Sequence, residues 1–86
     1  MPNIKQQERR VRRAGRERLE NLHYRSTART LFKRLEQAAA AGDAEQATQA
    51  HGELVRLLDR AAANGAIHPN RVARKKSQAA RLVSSL

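Results

Sequence analysis

Arginine dominates the chemistry that this sequence can perform. The 86 residues include 18 Lys and Arg against 8 Asp and Glu, a formal net charge of +10, and 14 of the basic residues are Arg. A guanidinium group donates paired hydrogen bonds to phosphate oxygens. So much positive charge on so short a chain predicts a polyanionic partner, with nucleic acid first and an anionic membrane surface second.

The basic residues recur at helical spacing near both ends of the chain. Net charge is +8 over residues 1–34, −3 over 35–65 and +5 over 66–86. Near the N-terminus, an arc of about 100° on an ideal helix holds Lys5, Arg9, Arg12, Arg13 and Arg16. Near the C-terminus, the side of a helix opposite its apolar stripe is expected to hold Arg71, Arg74 and Lys75. Both sets predict phosphate contacts that weaken as salt rises and carry little sequence information.

Enzymatic and metal chemistry find no support in the residue pattern. The absence of Cys removes disulfides, thiol catalysis and Cys-based zinc sites. His23, His51 and His68 lack the spacing of metal ligands, and His68 is expected either to cap a helix or to contact a phosphate. No nucleophile motif, Gly-rich phosphate loop or paired carboxylate occurs. We therefore expect a non-enzyme with no cofactor, metal or small-molecule substrate.

Aromatic stacking surfaces are not expected. Tyr24 and Phe32 are the only aromatic residues apart from His, and both lie on a stripe of leucines and alanines at helical spacing. Sheet-based readers of single-stranded bases need several aromatic side chains. The sequence predicts that both rings pack in the core, and that the protein docks by shape onto folded RNA or a duplex groove.

The middle of the chain predicts a helical hairpin. Gly42 can end one helix in the left-handed conformation, and Asp43 can cap the next, with Gln46 completing a capping box. The first apolar stripe consists of Tyr24, Ala28, Leu31, Phe32, Leu35, Ala38 and Ala39. The second consists of Ala47, Ala50, Leu54, Leu57, Leu58, Ala61 and Ala62. Two amphipathic helices joined by so short a turn predict an antiparallel pair.

A third helix is expected after the stop signal Asn64-Gly65, with Pro69 at its first position. The fold class predicted is therefore all-α, a three-helix bundle with a long first helix whose basic N-terminal half extends beyond the bundle. One domain is expected over residues 1–86, divided into an N-terminal extension (1–18), the hairpin (19–65) and the third helix (66–86).

The longest uninterrupted apolar run, Ala38 to Ala41, is too short to span a membrane, and no leader pattern is visible, so the cytosol is the expected location.

Several segments together resemble a known family. These are Pro2-Asn3-Ile4-Lys5, Tyr24-Arg25-Ser26, Gly42-Asp43, the run from Asp59 to Asn70 with Ile67-His68-Pro69-Asn70 at its end, and Val72-Ala73-Arg74-Lys75-Lys76-Ser77. In order and spacing they resemble the bacterial small-subunit ribosomal protein S20 family over nearly the whole chain. This chain departs from that pattern in using Arg where Lys is usual, in Pro69 where a basic residue is common, and in Ala79 where a larger aliphatic residue is usual.

The resemblance implies a three-helix bundle that binds 16S rRNA directly, at the 5′ domain and the penultimate stem, and stabilises its fold during assembly of the small ribosomal subunit. It implies a structural protein without catalysis, and no membrane partner or homo-oligomer is expected. Arg25 and Arg29 would continue the basic face of the first helix. The full set of implied RNA-binding residues is Lys5, Arg9, Arg10, Arg12, Arg13, Arg16, Arg18, Arg25, Arg29, Asn70, Arg71, Arg74, Lys75 and Lys76.

Composition alone leaves two other interpretations open. A small basic protein of this kind could compact DNA without site preference, as nucleoid-type proteins do. Association with an anionic membrane surface ranks third, because the basic segment 1–18 lacks the strong apolar face that such binding requires.

Overall fold

Three helices make up the part of the chain that the structure describes. The computed structural model describes residues 4–86, with α1 at Ile4–Ala40, α2 at Ala44–Ala63 and α3 at Pro69–Ser84. No strand occurs within that range. The predicted all-α class with a long first helix is confirmed. Pro2 and Asn3, which open the family-like N-terminal motif, lie outside the described residues.

The α1–α2 turn is closed by a glycine in the left-handed conformation. Gly42 has φ +71°, and the N–H groups of Gly42 and Asp43 donate to the carbonyl oxygens of Ala39 (3.1 Å) and Ala38 (2.9 Å). This is the Schellman arrangement. The Asp43 carboxylate accepts from the backbone N–H of Gln46 at 3.1 Å, which confirms the predicted N-cap. The capping box is only half formed, because the Asp43 N–H that Gln46 would accept from is bonded to Ala38 instead.

The α2–α3 connection repeats this design. Gly65 has φ +72°, and the N–H groups of Gly65 and Ala66 donate to the carbonyls of Ala62 (3.2 Å) and Ala61 (2.8 Å). Nδ1 of His68 then accepts from the backbone N–H of Asn70 at 3.1 Å, with Pro69 at the first position of α3. His68 therefore caps the helix, the first of its two expected roles, with its Nδ1 as the acceptor.

The core is small and entirely apolar. Twelve buried residues form one cluster, and its largest fully buried side chains are Leu35, Leu54 and Leu58. Ala79 of α3 is completely buried, so a small side chain at that position lets α3 approach the hairpin closely. Tyr24 and Phe32 pack against the cluster while remaining half-buried, in agreement with their predicted place on the apolar stripe.

The N-terminal part of α1 projects from the bundle. Every residue from Ile4 to Glu20 is exposed, and the helix passes through Gly15 without a break. At 1.5 Å per residue, this exposed segment extends about 25 Å. The radius of gyration is 17.1 Å, and a compact chain of this length would have about 12 Å. None of α1, α2 and α3 is both long and apolar enough to cross a bilayer.

Two glycine substitutions separate helix propensity from backbone strain. A Cβ added at Gly15 or at Gly42 meets nothing within 4 Å, but only Gly42 has a positive φ. We expect Gly15→Ala to favour the helical state of the extension by about 1 kcal/mol, and Gly42→Ala to destabilise the bundle by about 1–2 kcal/mol. Far-UV circular dichroism and urea unfolding measure the two effects. Equal responses at both positions would contradict the assigned turn geometry.

Truncation of the central leucine of α2 tests the core. Leu54 is 1% exposed and packs between α1 and α3, so Leu54→Ala removes contacts that no neighbour can replace. A loss of about 2–5 kcal/mol is expected, which is a large share of the stability of so small a domain. Urea unfolding followed by circular dichroism measures it. Leu19→Ala, at a position that is 68% exposed, is the control and should leave the midpoint of bundle unfolding unchanged.

Candidate nucleic-acid interface

The first basic surface lies on the exposed segment of α1. We call it the N-terminal arc, and it consists of Lys5, Arg9, Arg12, Arg13 and Arg16, all of them exposed. Nε of Arg13 lies 3.2 Å from Oε1 of Glu17, four residues away on the same helix. With both side chains well exposed, such a pair contributes little stability. The arc therefore offers a row of accessible guanidinium and ammonium groups along one side of a free helix.

The second basic surface is a groove between α1 and α3. We call it the basic groove, and its cationic rim consists of Arg25, Arg29, Lys33, Arg71 and Lys75. It encloses about 540 Å³, and Glu36 is the one acidic residue among those that line it. Packing of α3 against α1 thus brings together two basic segments that are about 40 residues apart in the chain.

Two contacts hold side chains in the basic groove. Nε of Arg25 donates to the carbonyl oxygen of Ala66, in the α2–α3 connection, at 3.3 Å. Nζ of Lys75 lies 4.9 Å from the centroid of the Phe32 ring, close enough for a cation–π contact. Both contacts link α1 to the segment that carries α3. The groove is therefore built by the same packing that closes the bundle.

Sequence reasoning omitted Lys33 from this surface. Lys33 follows Arg29 by four residues, as Arg29 follows Arg25, so the three side chains form one row along α1. That spacing was visible in the sequence. The signal was missed because Lys33 stands beside Phe32 and Leu35, within the stretch that was assigned to the core.

The basic residues of α3 do not form one outward face. Arg71 and Lys75 line the groove beside α1, whereas Arg74 is exposed and lies outside it. The expectation that all three lie opposite the apolar stripe is therefore wrong for two of them. At 100° per residue, Arg71 and Lys75 lie only about 60–100° from the buried side of α3, which places them at its border.

The remaining predicted residues of α3 have different surroundings. The Lys76 ammonium forms an ion pair with the carboxylate of Asp59 on α2, so its charge is directed at α2. Asn70 is exposed, and its backbone N–H is used in the His68 cap.

The N-terminal arc and the basic groove face nearly opposite directions. Because α1 is one unbroken helix, the 100° step per residue relates them directly. Arg25 and Arg29 lie about 160° around the axis from the centre of the arc. They do not continue that face, contrary to the expectation. Arg18 precedes Arg25 by seven residues and lies on the groove side, and Arg10 lies outside the arc.

No other cluster in the described part of the chain suggests chemistry. Within residues 4–86, no three His, Asp or Glu side chains approach one another closely enough to hold a metal ion. The Tyr24 hydroxyl accepts a hydrogen bond from Nδ2 of Asn64 at 3.0 Å, which ties α1 to the end of α2. The ring of His23 lies edge-on to Tyr24, with centroids 6.4 Å apart.

Comparison with known proteins identifies the family. The family model described as ribosomal protein S20 matches residues 2–84. The small ribosomal subunit protein bS20 of Thermomicrobium roseum is 49% identical over 78 residues, covering 91% of this chain and 79% of that protein. The bS20 of Nitrosococcus oceani is 44% identical, covering 91% and 90%. That of Mycolicibacterium smegmatis is 41% identical over 86 residues and covers all of both chains. The chain belongs to the ribosomal protein S20 family.

Proposed function

We propose that this protein is a structural component of the small ribosomal subunit, and that it binds 16S rRNA directly and stabilises the fold of that RNA during assembly. The observation that carries the proposal is the pair of basic surfaces on opposite sides of one continuous helix. Membership of the family supports a ribosomal role, and its curated relatives are named small ribosomal subunit proteins. The family consists of structural components, so the protein acts by binding and not by catalysis.

The mechanism is neutralisation of phosphate charge at two places at once. Arg12 and Arg29 are about 25 Å apart along α1, and their side chains leave the helix in nearly opposite directions. One RNA segment binds along the N-terminal arc and a second one enters the basic groove. Two such segments repel each other strongly, and counterions released from both contribute to the affinity. Holding them on one rigid helix lowers the free energy of the RNA fold that brings them together.

The two RNA segments are assigned to the 5′ domain and the penultimate stem of 16S rRNA. Contacts of this kind fix position through phosphate and ribose groups, without reading base sequence. Specificity then comes from shape, because only a folded RNA presents two backbones at the required separation. A nonspecific DNA-compacting protein has no such requirement, so competition between RNAs and DNA separates the two functions.

Competition binding tests this proposal. Titration of the protein into a folded 16S rRNA transcript that contains both the 5′ domain and the penultimate stem should give tight binding that survives an excess of tRNA and of duplex DNA of equal length. Performed at two salt concentrations, the titration also gives the number of phosphates neutralised. Loss of binding in the presence of either competitor would show that the protein binds polyanions without specificity for 16S rRNA.

Charge reversal in the N-terminal arc should weaken RNA binding without unfolding the bundle. The double variant Arg12→Glu with Arg16→Glu should lower affinity for the transcript on the order of 100-fold, and reduce the dependence on salt by about two phosphates. The matched control is Arg56→Glu with Arg60→Glu, which changes net charge equally on the exposed side of α2. Equal losses in the two variants would show that net charge alone determines affinity.

Adjacent lysines on α3 provide a second test. Lys75 lines the basic groove, and the Lys76 ammonium is paired with Asp59. Lys75→Gln should therefore weaken transcript binding several-fold more than Lys76→Gln, although both variants lose one charge. Filter binding at fixed salt measures the difference. A larger effect from Lys76→Gln would indicate that the RNA contacts the other side of α3.

A further inference from the structure

The basic groove contains more apolar surface than phosphate binding requires. Beneath its cationic rim, the lining includes Ala28, Phe32, Leu54, Leu58 and Ile67. Phe32 is half-buried, so part of its ring remains open to the groove. The N-terminal arc has no such floor, and no aromatic residue occurs between residues 4 and 22. The two basic surfaces therefore present different chemistry to an RNA.

We propose that the basic groove receives an unpaired nucleotide, whose base packs against Phe32 while its flanking phosphates contact the cationic rim. The inference rests on the proposed function, since it specifies which RNA structure enters the groove. It distinguishes the groove from the N-terminal arc, which contacts only the backbone.

The arrangement of Lys75 supports this assignment. Its ammonium lies 4.9 Å from the centroid of Phe32, so the ring face that the core leaves free is covered by Lys75, which an incoming base displaces. A base can stack or pack edge-on at such a ring, and Lys75 is then free to contact the phosphate beside it. Arg29 and Arg71 lie on the same rim. The side chains needed for a base and for its two phosphates thus surround one cavity.

A fully paired RNA strand matches the groove less well. Its bases stay stacked inside the duplex, and only phosphate and ribose groups reach the protein. Such a strand would satisfy the rim and leave the accessible part of the Phe32 ring without a partner, since Leu54, Leu58 and Ile67 are already buried by the bundle. An extruded base supplies the flat, weakly polar group that can cover the accessible part of the Phe32 ring.

The role of Arg25 fits the same geometry. Its Nε is bonded to the Ala66 carbonyl, which leaves the terminal nitrogens of the guanidinium available at the groove. The bond also fixes the α2–α3 connection, including the buried residue Ile67 that forms part of the floor. Arg25 therefore acts as a positioning residue for the floor in addition to its place on the rim.

Paired and bulged RNA hairpins test the inference. Two hairpins that differ only by one unpaired uridine in the stem are compared by fluorescence anisotropy at fixed salt. The protein should prefer the bulged hairpin by about 10-fold. Phe32→Leu should abolish that preference, so that the variant binds the two hairpins with equal affinity. The control is Tyr24→Leu, the same kind of change outside the groove, which should retain the preference. Equal affinity of the unaltered protein for both hairpins overturns the inference.

A crosslinking measurement on the unaltered protein removes any dependence on the folding of a variant. With 5-iodouridine at the bulge, irradiation should crosslink the RNA to the tryptic peptide of residues 30–33, which contains Phe32. A crosslink to Tyr24, or none to either ring, overturns the assignment of the groove. If the crosslink is absent but the 16S rRNA transcript still binds specifically, the assignment of the groove is wrong and the proposed ribosomal function stands. Failure of the transcript to bind would reject both proposals.

Discussion

Burial of a few leucines against alanines is the interaction on which this structure depends. Among residues 4–86, twelve residues form the core and none of them is polar, with Leu35, Leu54 and Leu58 as its largest fully buried side chains. Alanines at the helix contacts, Ala61 and Ala79 among them, let the backbones approach closely. With so little apolar area available, the chain cannot cover the N-terminal part of α1 as well. The N-terminal part of α1 therefore stays exposed, together with its own Leu19 and Leu22.

Each of the two turns likewise depends on a few residues, a glycine that closes it and a cap that begins the next helix. Two glycines at φ near +70° close both connections with Schellman hydrogen bonds, and Asp43 and His68 then cap the helices that follow. These caps determine where α2 and α3 begin, and hence the register in which Val72 and Ala79 meet the hairpin. That register also places Arg71 and Lys75 beside α1. A shift of α3 by one residue would rotate both cations away from the groove.

Local signals made most of the fold predictable from sequence. Gly42, Asp43, Gly65 and Pro69 each favour one backbone geometry for a steric reason, and the apolar spacing identified both stripes. The family resemblance followed from the same segments. The basic groove was only partly predictable, because it forms where two helices meet and depends on how α3 rotates against α1. A helical wheel for α3 alone places Lys75 at the border of the apolar stripe, and it cannot show Phe32 beneath it or the pairing of Lys76 with Asp59.

Because α1 is continuous, a change in its tilt at the core is amplified at its N-terminal end. Its clamped end lies between α2 and α3, and its tip lies about 40 Å from the leucines that hold it. A tilt of about 10° at the core moves the tip by roughly 7 Å, more than the separation of neighbouring phosphates on an RNA strand. Small errors in core packing are therefore amplified at the distant end. Side chains that contact no ligand, such as Ala79, therefore determine how accurately the N-terminal arc is positioned relative to the RNA.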